Sequence, residues 1–122
     1  MTYKRDRKPL RMTVDEAKAT YDQDDVVVLD VVDAGEYRHV ADEIRRAVHI
    51  DPDEIEEVYE QLPRDQTILT YCTCDSEELS ARVAYFLRKQ GYDAIAIEGG
   101  LPEWREAGYP VQEKDLAAPF GE

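Results

Sequence analysis

The strongest constraint on this chain is the run Val26-Val27-Val28-Leu29-Asp30-Val31. β-Branched residues at consecutive positions suit a strand covered on both faces, as in a parallel sheet between two helical layers. Thr67 to Cys72 and Ala94 to Ile97 read as two further strands, and Ala47 to Ile50 as a short one. Helical segments separate them. Thr13 and Glu16 form a capping-box pattern at the head of a helix reaching about Tyr21, and Asp33 with Glu36 heads a short helix through about Val40. Pro52 stands at the first helical position after Asp51, with Ile50 and Ile55 placed to staple the start and Val58, Tyr59 and Leu62 at helical spacing beyond. Ser80 opens a helix carrying Val83, Ala84, Phe86 and Leu87, which Gly91 ends, and Leu101 to Ala107 is a short helix between Gly100 and Gly108. This alternation predicts an α/β three-layer sandwich around a mostly parallel, roughly five-stranded sheet.

A chain of 122 residues accommodates one domain with a real core. Three parts are expected: a basic arm at 1–9, a folded domain at 10–112 and a tail at 113–122. Apolar runs such as Val26 to Leu29 are far short of a membrane span, and no apolar segment follows the basic N-terminus as a secretion signal requires. The expectation is a cytoplasmic protein without membrane contact. Net charge is −13, unevenly spread: Lys4, Arg5, Arg7, Lys8 and Arg11 face only Asp6 in the first eleven residues, and the rest is strongly acidic. An acidic body repels phosphate backbones, so no nucleic-acid partner is expected, and its self-repulsion favours a monomer.

Cys72 and Cys74, one residue apart, are the only cysteines. They form neither a disulfide framework nor, with only His39 and His49 to help, a zinc site. In a parallel sheet, ligands sit beyond the carboxyl ends of the strands, and Cys72 to Leu79 occupies such a position. A thiol facing the next helix's N-terminus gains from its orphan N–H groups and dipole, which favour the thiolate; loop N–H groups can also form an anion nest. That arrangement suits a nucleophilic sulfur. Other candidates have simpler roles. Asp30 at a strand end either orients the loop through backbone hydrogen bonds or caps the following turn, the second being the expectation, and His49 is expected to be packed or hydrogen-bonded. Tyr71 points to the face opposite Cys72, into packing, and Trp104 fills the core edge.

Four segments resemble the rhodanese domain family, whose loop cysteine carries a persulfide. They are Val27-Val28-Leu29-Asp30-Val31 with Glu36-Tyr37; Thr67-Ile68-Leu69-Thr70-Tyr71-Cys72; Ser80-Ala81-Arg82-Val83-Ala84 with Gly91-Tyr92; and Glu98-Gly99-Gly100-Leu101 with Trp104 and Gly108-Tyr109-Pro110-Val111. The likeness spans about 10–112, and the last segment is its most specific part. The family's usual Gly-His-Ile-Pro-Gly-Ala is replaced by Asp42-Glu43-Ile44-Arg45-Arg46-Ala47, and Val32 stands where Arg is common. The active loop also departs, lacking the family's Gly and Arg: it reads Cys72-Thr73-Cys74-Asp75-Ser76-Glu77-Glu78-Leu79 before Ser80.

Two alignments of that loop compete. Anchored on the strand, Cys72 is the nucleophile of an eight-residue loop; anchored on Ser80, Cys74 heads the usual six. Strand register is hard to slip without turning the strand over, which favours Cys72 and leaves Cys74 to resolve its persulfide or sulfenic acid. The candidate catalytic residues are therefore Cys72 and Cys74. Thr73, Asp75, Ser76, Glu77, Glu78, Leu79, Ser80 and Arg82 are the candidate substrate-binding set, much of it through loop N–H groups. Asp75, Glu77 and Glu78 oppose thiolate formation and repel anionic donors, so weak thiosulfate turnover is expected, with Arg82 offsetting part of the charge. A phosphatase reading fails because neither cysteine has an Arg six residues on. The resemblance implies a sulfurtransferase that passes a sulfane sulfur from a donor to a thiol acceptor, without metal or organic cofactor. The alternative is a non-catalytic docking or redox-sensing module.

Overall fold

A computed structural model of the chain describes residues 10–23, 25–32, 34–73 and 78–114. Its frame is a five-stranded, all-parallel sheet. The strands are β1 (Arg11–Met12), β2 (Val26–Asp30), β4 (Val48–His49), β5 (Thr67–Tyr71) and β6 (Asp93–Ile97), in the order β1-β6-β5-β2-β4. β5 is central: Leu69 pairs with Val28 on one side and with Ile95 on the other. A separate antiparallel pair joins β3 (Asp42–Ile44) to β7 (Val111–Glu113).

The pleat sorts the strand residues into two cores, and helices cover both. Val28, Leu69, Tyr71, Ile95 and Ile97 face a cluster shared with Val14, Ala17 and Tyr21 of α1 (Val14–Tyr21) and with Leu101 and Trp104 of α5 (Gly100–Glu106). Leu29, Ile68, Ala94 and Ala96 face the other, with Ile55 of α3 (Ile55–Val58) and Ala81, Val83, Ala84 and Leu87 of α4 (Glu78–Lys89). This is the predicted three-layer α/β sandwich around a parallel sheet, with α2 (Ala34–His39) following β2.

Local signals explain the boundaries. Thr13 Oγ1 accepts from Glu16 N while Glu16 Oε1 accepts from Thr13 N, the reciprocal box that satisfies two orphan donors of α1. Asp51 Oδ1 accepts from Asp53 N at 2.9 Å, capping the 3₁₀ turn Pro52–Glu54. The helix expected through Leu62 is shorter, because α3 ends at Val58 and a second 3₁₀ turn, Tyr59–Gln61, takes over. Gly91, at φ +95°, ends α4, where Tyr92 N reaches back to Leu87 O.

Two boundaries differ from the sequence expectation. α4 already includes Glu78, so Ser80 is inside the helix rather than at its head. The folded chain also continues past 112, where a tail was expected: β7 runs through Glu113, and Lys114 is buried with its N–H bonded to Ala41 O at 2.8 Å. No helix among the described residues is long and apolar enough to cross a membrane.

Candidate active site

Cys72 follows the last residue of β5 and is 1% exposed. Both peptides that flank it are held. Val31 N–H donates to Tyr71 O at 2.9 Å, and Leu101 N–H donates to Cys72 O at 3.2 Å. Leu101 is in the first turn of α5, and its neighbour Gly100 lies directly against the cysteine's carbonyl. A Cβ at Gly100 would stand 2.4 Å from Cys72 O. Gly99 and Gly100 both have positive φ, +83° and +56°, so this pair lets α5 turn in against the strand end.

The helix after the loop is tied to the same strand. Thr70 Oγ1 donates to Ser80 O at 2.8 Å, and both residues are buried. The described part of α4 begins at Glu78. Cys74, Asp75, Ser76 and Glu77 lie outside the described residues. Thr73 is described, and its Oγ1 is buried without a hydrogen-bond partner. Glu78, Leu79 and Arg82 line a groove of about 490 Å³ with Leu10, Ile55 and Phe86, whereas Ser80 is packed beneath the helix.

Behind the cysteine lies a buried polar cluster that sequence reasoning missed. Tyr71 Oη donates to Asp30 Oδ2 at 3.0 Å and accepts from Ile44 N–H at 3.1 Å. Tyr71 and Asp30 are cross-strand partners and both are fully buried. Burial pushes the Asp30 carboxyl above the usual carboxylate range, with Glu43 adding to the rise. The Tyr71 hydrogen bond, Lys114 and His49 oppose it. Burial, then the Asp30 charge, pushes the Tyr71 phenol far above its ordinary value. Glu43 accepts from Tyr37 Oη at 3.1 Å and from Gln112 Nε2 at 2.7 Å. Lys114 Nζ donates to Tyr37 O at 2.6 Å and lies 3.8 Å from the centroid of its ring.

These contacts settle four smaller expectations. Asp30 does not cap the next turn: its side chain points into the core, where the buried Tyr71 phenol is its donor. Tyr71 does face away from Cys72 into packing, but with its hydroxyl fully engaged. His49 is packed and bonded as expected, stacked on Tyr37 at 4.0 Å with Nε2 2.8 Å from Val32 O. Trp104 fills the core at 0% exposure, its Nε1 donating to Pro110 O.

The sequence model of the rhodanese-like domain family matches residues 13–107, well over half the chain. The protein belongs to the rhodanese-like family. One curated relative, a tRNA uridine(34) hydroxylase of Cytophaga hutchinsonii, is 36% identical over 94 residues, covering 70% of this chain and 28% of that protein. The chain thus spans little more than a quarter of that relative's length. Among solved structures, a rhodanese-related protein of Thermoplasma volcanium is 26% identical with a TM-score of 0.70, covering 84% of this chain and 96% of its own. A rhodanese-like domain from Anabaena, 20% identical, also gives 0.70, covering 94% of this chain and 88% of its own, and shares the fold. The strand that precedes Cys72, α4 and the Gly99–Gly100 turn all fall within the matched residues of this rhodanese-like domain.

Proposed function

We propose that this rhodanese-like domain is a sulfurtransferase working through a Cys72 persulfide. One observation carries the reading. Cys72 directly follows the central parallel strand, and both of its flanking peptides are hydrogen-bonded. The fixed register of that strand is what favours Cys72 over Cys74 as the nucleophile.

In the first half-reaction the Cys72 thiolate attacks the outer sulfur of a donor persulfide. A new S–S bond forms on Cys72, the donor's S–S bond breaks, and the donor leaves as a thiolate. In the second, an acceptor thiolate attacks the outer sulfur and Cys72 leaves as thiolate. The acceptor gains the sulfane sulfur, with no net redox change and no cofactor in the balance. Backbone N–H groups and a helix N-terminus are the donors such a sulfur anion requires. Asp75, Glu77 and Glu78 make a persulfide a better donor than thiosulfate, whose two negative charges they repel. The hydroxylase name of the Cytophaga relative transfers nothing specific here, because the shared domain is a minor part of that protein.

A second reading, a docking or redox-sensing module, draws on the near-complete burial of Cys72 and the acidic loop. Intact-mass spectrometry after separate incubation with thiosulfate and glutathione persulfide decides between them. The enzyme reading expects one added sulfur, removable by cyanide, in the parent and in Cys74→Ser but not in Cys72→Ser. No adduct with either donor leaves the module reading; loss only in Cys74→Ser reverses the choice of nucleophile.

A further inference from the structure

Two buried side-chain oxygens among the described residues have no hydrogen-bond partner: Asp30 Oδ1 and Thr73 Oγ1. Both flank Cys72. Thr73 follows it in the chain, and Asp30 is the cross-strand partner of Tyr71, which precedes it. Buried polar atoms are nearly always satisfied, and a carboxyl kept at 0% exposure with one oxygen unpaired is costly as mere support. An apolar pair of the same shape would fill the space without that penalty.

The Asp30–Tyr71 pair has a consequence that packing alone would not provide. The Tyr71 phenol is gripped by an acceptor on β2 and a donor on β3, and its own carbonyl is gripped by Val31. Side chain and backbone of the residue before the thiol are therefore fixed independently. We infer that Asp30 and Tyr71 are positioning residues for Cys72: the carboxyl and the Ile44 N–H hold the phenol, and the phenol holds the strand end that presents the sulfur. This rests on the sulfurtransferase reading, in which the direction of the sulfur matters. The carboxyl acts as an acceptor, a role that an amide oxygen fills equally. Among the described residues, the charged or titratable groups facing it from neighbouring elements are Tyr71 of β5, Tyr37 of α2, Glu43 of β3, His49 of β4 and Lys114 after β7.

The test compares the parent, Tyr71→Phe and Asp30→Asn, all in a Cys74→Ser background so that Cys72 alone reports. Thiolate absorbance is titrated between about pH 5.5 and 9.5, with Cys72→Ser subtracted, in the range where an unperturbed thiol titrates. Sulfur uptake from glutathione persulfide and thermal unfolding are measured on the same samples. Tyr71→Phe leaves two buried groups unpaired and frees the strand end. Its thiolate titration moves upward and its uptake slows roughly fivefold or more, the equivalent of one hydrogen bond. Asp30→Asn keeps the acceptor, so its titration overlays the parent and its uptake stays within about twofold, less than that one bond. The inference is overturned if the Tyr71→Phe titration superimposes on the parent with only the melting temperature lowered, or if Asp30→Asn shifts as far as Tyr71→Phe. A parent that takes no sulfur refutes the transfer reading, while the thiolate titrations still decide the positioning role.

Discussion

Replacing Gly100 with Ala tests the contact that seats α5 against the cysteine. The new Cβ would stand 2.4 Å from Cys72 O and 3.5 Å from Cys72 C, and the nearer atom is backbone, which cannot rotate away as a side chain does. Overpacking of this kind costs about 1–3 kcal/mol. The positive φ of +56° adds about 1–2 kcal/mol for an L-residue in the left-handed region. Together these remove roughly 2–5 kcal/mol from a domain whose whole stability is of order 5–15 kcal/mol. For a chain of this length that is a fall in Tm of roughly 6–20 °C. Gly108→Ala is the control: its φ is +83°, but nothing lies within 4 Å of the added Cβ, so it carries the backbone penalty alone. Urea denaturation of both variants, followed by circular dichroism, isolates the clash as their difference. The expected gap is about 1–3 kcal/mol, with slower sulfur uptake in Gly100→Ala only. If Gly100→Ala is as mild as Gly108→Ala, the close approach to Cys72 is not a constraint and the account of the Gly-Gly turn is wrong.

Three further outcomes follow from the buried polar groups. Asp30 has a folded-state pKa above its unfolded value of 3.8, so its stabilising contribution is full below that value and is lost as pH rises through the folded pKa. The stability of Asp30→Asn relative to the parent should therefore grow with pH across that window and level off above it. A constant difference, measured by urea denaturation, would contradict burial as the dominant cause. Tyr37 is pushed up to about 12 by burial and then by Glu43, and Tyr71 higher still by burial and then Asp30. In the folded protein, phenolate absorbance near pH 11, roughly one unit above the ordinary tyrosine value, should fall short of the eight tyrosines by at least these two. Trp104→Phe removes the 2.9 Å bond to the Pro110 carbonyl, which keeps Arg45 N–H at 3.1 Å, and opens space in the core, so it should cost about 1–3 kcal/mol in the same denaturation assay. A loss within error of zero would show that water or backbone movement replaces that bond.

What was legible in the sequence was what short-range chemistry encodes. Val26 to Val31, Thr67 to Cys72 and Ala94 to Ile97 announced three parallel strands because burial on both faces demands unbroken apolar runs. Thr13 with Glu16 and the glycine at 91 marked helix ends because their side-chain and φ requirements are local. β1, β3 and β7 were invisible for the opposite reason. Each has two or three residues, and Asp42, Glu43, Gln112 and Glu113 give no apolar alternation. Only pairing across the fold makes Asp42 the partner of Glu113. The polar cluster was hidden likewise: Tyr71 and Asp30 are 41 residues apart, and Tyr37 and Lys114 are 77 apart. Lys114 reads as a tail residue until β7 carries it into the cluster. Cys72 was legible because strand, cysteine and loop are contiguous, whereas Ser80 was misread as the head of α4 because Ser resembles a cap even where it is packed inside the helix.

The central claim is that sulfur passes through Cys72 to another thiol, and an isotope chase tests it most directly. Glutathione persulfide labelled with heavy sulfur at the outer position is given to the protein, excess donor is removed, and a low-molecular-weight thiol is added. The account predicts that the label appears first on the protein and then in the acceptor's persulfide, in the parent and in Cys74→Ser, and that Cys72→Ser carries none at either stage. Label that reaches the acceptor equally well from Cys72→Ser, or never reaches the protein at all, would contradict it.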